Sequence, residues 1–252
     1  MQIVGYQTAT ANDPAALLLS DGGIVEEHPL VPDGEVTFAL GDRHCAGVLD
    51  DGIHLDCAND GAPYCPTHTS RWPCARCDGT CAMPTMACHE EHAVYLAAFA
   101  PDTIKVGVTR SWRLETRLRE QGADRGAHIR TVKNGRVARQ LETDMAERYP
   151  DRVRVATKIE TLHQAVDDDV WATVVDDHDP IETFDLEYGL SLAAQPVPET
   201  IASGTVRGTQ GRVLVIDRAG TTYAVDLRDL VGYEVTGERP SRNLQASFGA
   251  FE

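Results

Sequence analysis

All seven cysteines of this chain fall between Cys45 and Cys88, in a stretch rich in Gly, Pro, Asp and Thr that follows neither the helical nor the strand period. Such a stretch has almost no apolar core of its own, so bound metal has to supply its folding free energy. In order, the candidate ligands are Cys45, Cys57, Cys65, His68, Cys74, Cys77, Cys81, Cys88 and His92. Cys65-Pro66-Thr67-His68 and Cys74-Ala75-Arg76-Cys77 share the two-residue spacing by which a tight knuckle places two side chains on one tetrahedral zinc. The ligands divide into Cys45, Cys57, Cys65 and His68 at one site and Cys74, Cys77, Cys81 and Cys88 at a second. His92, four residues after Cys88, is able to replace one of the latter. Free buried thiols are the alternative reading for some of them. The "HEEH" at 89–92 differs from the metalloprotease motif, because His89 and His92 are three residues apart rather than four. Four thiol or imidazole ligands also leave zinc no open position for water, so the one or two zinc ions expected here are structural.

Metal rather than disulfide chemistry follows from the compartment. The start, "MQIVGYQTAT", lacks the charged and apolar regions of a signal peptide, and no run approaches the roughly 18 apolar residues of a membrane span. A cytoplasmic protein without a membrane partner is expected, and cysteines in that reducing setting read as ligands. The formal net charge is -16, and of the 23 basic residues only Lys105, Lys133 and Lys158 are lysines. An acidic, lysine-poor surface is what selection in molar cytoplasmic salt produces, so a halophilic source is expected. At that ionic strength the Debye length is about 3 Å, so distant carboxylates barely repel a phosphate backbone and nucleic acid is not excluded as a partner.

Taken along the chain, residues 1–43 carry short apolar runs broken by Asn12-Asp13-Pro14, Asp21-Gly22-Gly23 and Pro32-Asp33-Gly34, which predicts two to four strands. Residues 44–92 are the Cys/His-rich segment. Residues 93–180 read as a small α/β unit: strands at 93–99 and 103–108 joined by Ala100-Pro101-Asp102, a helix ended by Gly122, and a strand at 127–132. A helix follows in which Val137, Leu141 and Met145 recur before Pro150, and another spans 160–175. Residues 181–252 return to strand signals, with turns at Gly208–Gly211 and Ala219-Gly220. "GTQG" there has no following helix or lysine, so it reads as a hairpin rather than a phosphate loop. The two terminal β segments are candidates to form one module.

The "CHEEHAVYLA", "IKVGVTR", "RLREQGA" and "GTQGRVLVID…LVGYEV" segments resemble the family called domain of unknown function 2797, over roughly residues 44–235. More distantly, "VYL" at 94–96 followed by "KVG" at 105–107 is similar to the paired signatures of the GIY-YIG nuclease superfamily. That resemblance implies an α+β fold: a small sheet with flanking helices, here preceded by zinc knuckles and flanked by β-rich terminal segments. It also implies a site in which Tyr95 stands at the first tyrosine, Gly107 at the glycine of the second motif, Arg117 near the arginine and Glu142 at the metal-binding glutamate. Tyr95 would position or deprotonate water, Arg117 would neutralise charge on phosphoryl oxygens, and Glu142 would hold one Mg²⁺ or Mn²⁺ as Lewis acid. Lys105 replaces the second tyrosine, as an electrostatic clamp or, if desolvated, a base. Arg117 lies a couple of residues further from the glycine than the superfamily pattern has it.

Two functions follow. One is a metal-dependent nuclease acting on DNA or RNA phosphodiesters. The other is a non-catalytic, zinc-stabilised module that binds nucleic acid or another protein. For nucleic acid, Arg110, Arg113, Arg117, Arg119, Arg125, Arg130, Arg136 and Arg139 would meet phosphates, with Trp112 as a nearby aromatic. Oligomeric state leaves no mark on the sequence.

Overall fold

A computed structural model describes residues 1–69, 79–80 and 86–237. In chain order its elements are β1 (Gln2–Gln7), β2 (Ala16–Asp21), β3 (Ile24–Pro29), β4 (Glu35–Arg43), β5 (Val48–Asp50), β6 (Ile53–Leu55), β7 (His92–Phe99), β8 (Thr103–Arg110), α1 (Leu114–Gln121), β9 (Arg125–Val132), α2 (Gly135–Met145), α3 (Val155–Thr161), α4 (Asp168–His178), β10 (Glu182–Asp185), β11 (Val197–Pro198), β12 (Ala202–Gln210), β13 (Val213–Arg218), β14 (Thr221–Asp226), α5 (Leu227–Leu230) and β15 (Tyr233–Thr236). Short 3-10 turns occupy Met86–His89 and Ser111–Arg113. No described helix is long and apolar enough to cross a membrane.

The chain forms two compact units, one from Met1–Ser70 with Tyr188–Glu252 and the other from Arg71–Glu187. In the first, an eleven-stranded sheet runs in the order β11-β14-β13-β12-β4-β15-β1-β2-β3-β6-β5. β4 joins the two ends of the chain, pairing antiparallel with β12 on one side and β15 on the other. Its alternation supplies the reason: Val36 and Phe38 enter the core while Glu35 and Thr37 face outward. Leu17, Leu214, Ile216, Val225 and Val235 complete that core. The hairpin read at Gly208–Gly211 joins β12 to β13, and Ala219-Gly220 turns β13 into β14 with both residues at positive φ.

In the second unit an antiparallel sheet runs β10-β9-β7-β8. β7 is central and its residues from Ala93 to Phe99 are all buried, so its sequence shows a continuous apolar run without alternation. Val94, Leu96 and Ala98 point into one cluster with Val106, Ile129, Ala138, Trp171 and Val174. Tyr95, on the opposite parity, points to the other face.

Several expectations are corrected. The segments 1–43, 44–92, 93–180 and 181–252 group as two units, because β4, from the N-terminal part, bonds to β12 and β15 from the C-terminal part and β10 pairs with β9. The helix over 160–175 is two helices, since the Asp167 carboxylate caps a new start by accepting from Asp169 N (2.9 Å) and Val170 N (3.1 Å). In α2 the buried positions are Gly135 and Ala138, with Leu141 and Met145 packed partly against the core, while Val137 is 39 % exposed.

Candidate functional site

The first unit carries a metal-type cluster. β4 delivers Cys45 just beyond its end, the β5–β6 hairpin leads to Cys57, and a turn brings His68 back to Cys65. In that turn the N–H groups of His68 and Thr69 donate to the Cys65 carbonyl at 2.9 and 2.8 Å. Neighbouring bonds hold the loop in register: Cys45 N to Asn59 O at 2.8 Å, Ala46 N to Pro63 O at 2.9 Å and His44 Nδ1 to Cys57 O at 3.0 Å. The ligand atoms of Cys45, Cys57, Cys65 and His68 all lie within 4.8 Å of one another. Both the Cys45 and Cys65 sulfurs are 3.4 Å from His68 Nδ1. Zinc bonds of roughly 2.0–2.3 Å place tetrahedral ligands at comparable separations, so this set fits a closed structural ion.

The polar surroundings suit thiolates. Gly47 N and Cys65 N donate to the Cys45 sulfur at 3.4 and 3.2 Å. Burial opposes charge on Cys65. The backbone donors near His68 and Thr67 and the Cys45 and Cys57 thiols outweigh that, bringing the thiol down to about 6. On Cys57 the Asn59 backbone bond acts downward, yet burial and the two neighbouring thiols leave it raised.

Of the second expected quartet, Cys74, Cys77 and Cys81 lie outside the described residues. Cys88 sits in the Met86–His89 turn, and His92 opens β7 with Nδ1 at 2.9 Å from Glu90 O.

The second unit gathers the other candidates on one face. Tyr95 pairs across the strands with Gly107, and Ala97 with Lys105, so Lys105 is the diagonal neighbour of Tyr95. Beside them the β7–β9 register shifts between Val94 and Tyr95, a bulge of the kind that re-aims a side chain. α1 ends on Gly122 in the left-handed conformation (φ 67°), which leaves Gln121 at the helix terminus over the sheet. From there the Gln121 amide bridges two candidates: its Nε2 donates to the Tyr95 hydroxyl at 2.5 Å, and its Oε1 accepts from Lys105 Nζ at 2.8 Å. Arg117, one helical turn earlier, acts on the Tyr95 hydroxyl through its charge. Glu120 holds Arg117 at 3.0 Å through one oxygen and Arg113 at 2.7 Å through the other. Glu142, from α2, has a side chain only 13 % exposed and an ion pair to Arg139 at 2.5 Å.

Electrostatics tie these groups together. Burial raises the Tyr95 hydroxyl above its ordinary value, opposed by the Arg117 charge and the Gln121 bond, while Glu142 pushes it further up. Lys105 is lowered to about 8, first by burial and then by the Arg117 charge, with the Glu142 carboxylate pulling back. Burial works against the Arg117 charge too, but Tyr95 and Glu120 leave it raised. Tyr95, Lys105, Arg117 and Glu142 are thus within one another's field. Gln121 and Glu120 were not singled out from the sequence. Their available signal was position alone: Gln121 follows Arg117 by one helical turn and directly precedes the capping glycine.

On this face two cations and a hydroxyl lie beside one carboxylate. As a seat for a hard divalent cation, Glu142 gives a single protein ligand, whose Oε2 is already bonded by Arg139. A cation there would depend on water and substrate oxygens for the rest of its shell, which is the way Mg²⁺ is ordinarily held.

A family model described as "Protein of unknown function (DUF2797)" matches residues 64–235, more than half of the chain. No curated protein and no solved structure matches.

Proposed function

The chain belongs to the DUF2797 family, and from that premise we propose that its second unit is a metal-dependent phosphodiesterase of nuclease type, with the first unit's cysteine and histidine cluster holding a structural zinc. The observation that carries this reading is the convergence of the Tyr95 hydroxyl, the Arg117 guanidinium and Lys105 on the Gln121 bridge, with Glu142 in their field. The small antiparallel sheet with flanking helices that presents a tyrosine, an arginine and a glutamate agrees with the GIY-YIG resemblance. It differs in adding β10 as a fourth strand.

Each residue has a role in the reaction. The Tyr95 oxygen accepts from Gln121 beside the Arg117 charge, which leaves the hydroxyl hydrogen to position the attacking water, while the proton that water loses on attack passes to solvent and the leaving oxygen takes one from solvent. Arg117 and the charged form of Lys105 stabilise the phosphoryl oxygens as negative charge grows on them. A divalent cation on Glu142 would supply Lewis-acid stabilisation of the same charge. DNA or RNA is the proposed substrate.

The purely phosphate-binding reading is disfavoured by the arginines themselves. Arg110, Arg113, Arg117, Arg119, Arg125 and Arg139 each pair with a carboxylate, so the stretch is not a bare cationic surface. The test is incubation of the zinc-loaded protein in molar KCl with Mg²⁺ or Mn²⁺ and single-stranded, duplex and branched DNA and RNA, with Glu142→Gln in parallel. Cleavage by the parent, and loss of about 100-fold or more in the variant, is expected for a metal ligand. Equal cleavage by both removes Glu142 from the site, and no cleavage by a folded parent removes the nuclease reading.

A further inference from the structure

Trp112 is the most solvent-exposed large apolar side chain among the described residues, at 71 %, and it stands in the Ser111–Arg113 turn between β8 and α1. It is held in that exposed position. Its indole Nε1 donates to Glu90 Oε2 at 3.3 Å, and the same Glu90 carboxylate pairs with Arg110 through its other oxygen at 3.5 Å. The Arg110 and Arg113 guanidinium carbons lie 5.8 and 5.9 Å from the ring centroid. Both are within cation–π range of the ring, and with the residue still largely exposed they leave much of the indole open to solvent. Arg113 leads on toward the Tyr95 face, because Glu120 binds Arg113 with one oxygen and Arg117 with the other.

An exposed aromatic fixed by a hydrogen bond, framed by two guanidinium groups and joined through Glu120 to Arg117 on the Tyr95 face, has the parts of a stacking platform for a base. We propose that Trp112 stacks an unpaired nucleobase of the substrate strand, so that the site engages single-stranded or locally unpaired nucleic acid in preference to continuous duplex. This rests on the nuclease reading for its choice of substrate but not on the catalytic step. A base stacked within a duplex has both faces covered and cannot use the indole. A flipped, frayed or single-stranded base can.

The test measures binding without added divalent cation, by anisotropy of labelled twelve-nucleotide single strands and the matching duplexes, in DNA and in RNA, for the parent, Trp112→Ala and Trp112→Phe. The alanine variant is expected to bind single strands about tenfold or more weakly, the range found when one stacked base is lost. The phenylalanine variant should stay within about threefold of the parent, and duplex binding should be unchanged in both. Because stacking is not a counterion-release effect, the alanine penalty should be the same factor at low and at molar salt. Equal single-strand affinity for the parent and Trp112→Ala overturns the platform, as does an equal loss on single strands and duplexes, or a parent that binds neither. Tryptophan-dependent binding without cleavage under Mg²⁺ or Mn²⁺ would keep the platform and end the nuclease reading. Cleavage with KM and kcat unmoved in Trp112→Ala would do the reverse.

Discussion

The Tyr95 ring lies over Gly107 on the neighbouring strand, so closely that a methyl group at Gly107 would come within 2.5 Å of Tyr95 Cζ. With Tyr95 only 1 % exposed, the ring has nowhere to retreat. Gly107→Ala should therefore destabilise the second unit by about 1–3 kcal/mol, as overpacking of a filled site does. It should also pull the hydroxyl off Gln121. Urea unfolding of the parent and the variant, with cleavage measured in parallel, checks both. An unchanged midpoint would mean that the tyrosine is not held as described.

Lys105 makes the second unit's stability depend on pH. Its folded value, lowered to about 8, lies below the ordinary lysine value of 10.5, so between those limits the unfolded chain binds more protons than the folded one. Stability contributed by this group rises with pH across that window and is lowest below about 8, where the charge must stay buried. Lys105→Met should thus stabilise the fold at neutral pH by at most about 3 kcal/mol, and the advantage should vanish by about pH 10.5. Denaturant midpoints of the two proteins across this range test it. A pH-independent difference would show that the ammonium is not desolvated. The clamp role assigned to the charged form also requires cleavage to decline above pH 8.

How much of this was legible in the sequence depended on range. The Tyr95–Gly107 pairing was readable because two strand runs flank a tight Ala100-Pro101-Asp102 turn, and the end of α1 was readable because Gly122 is the residue that tolerates φ of 67°. The Cys45, Cys57, Cys65 and His68 grouping was readable from the knuckle spacing of Cys65 and His68 and from dividing the ligands in chain order. Long-range pairing was not. That Glu182–Asp185 adds to β9 and that β4 sits between β12 and β15 depend on register across the whole chain, which local patterns do not encode. The split between α3 and α4 was hidden because Asp167 looks like one more acidic residue until its carboxylate is seen capping. Gln121 was hidden for a similar reason, since an amide gains its role only when Tyr95, 26 residues away, is folded beneath it.

Two of the chain's three lysines meet at that glutamine. Lys105 binds its side-chain carbonyl, while Lys158, from α3, donates to its backbone carbonyl at 2.5 Å and lies 4.1 Å from the Phe99 ring centroid. A cation on the last carbonyls of a helix caps it and favours its dipole. Lys158→Met is expected to cost about 1–2 kcal/mol through the lost charged hydrogen bond and cation–π contact. It should lower cleavage as well, since Gln121 would lose one of its two lysine contacts. Lys158→Arg should recover part of both in the same assays. Full activity in the methionine variant would show that the end of α1 is held by other contacts.

The cysteine and histidine cluster makes the most direct prediction. Cys65 is 3 % exposed, contributes its sulfur to the quartet, and carries in its own carbonyl the turn that returns His68. Removing the sulfur in Cys65→Ser takes one of four ligands from a site with no replacement among the described residues. Elemental analysis should therefore find one zinc equivalent fewer per chain than in the parent. The loop around Cys45 to His68 has few apolar contacts and so depends on the ion for its order. Limited proteolysis should cut it in the variant and in chelator-treated parent, but not in zinc-loaded parent. The second unit has its own core, so the heat-unfolding signal from its helices should persist in all three. Equal zinc content in Cys65→Ser and the parent would show that this quartet does not hold the ion.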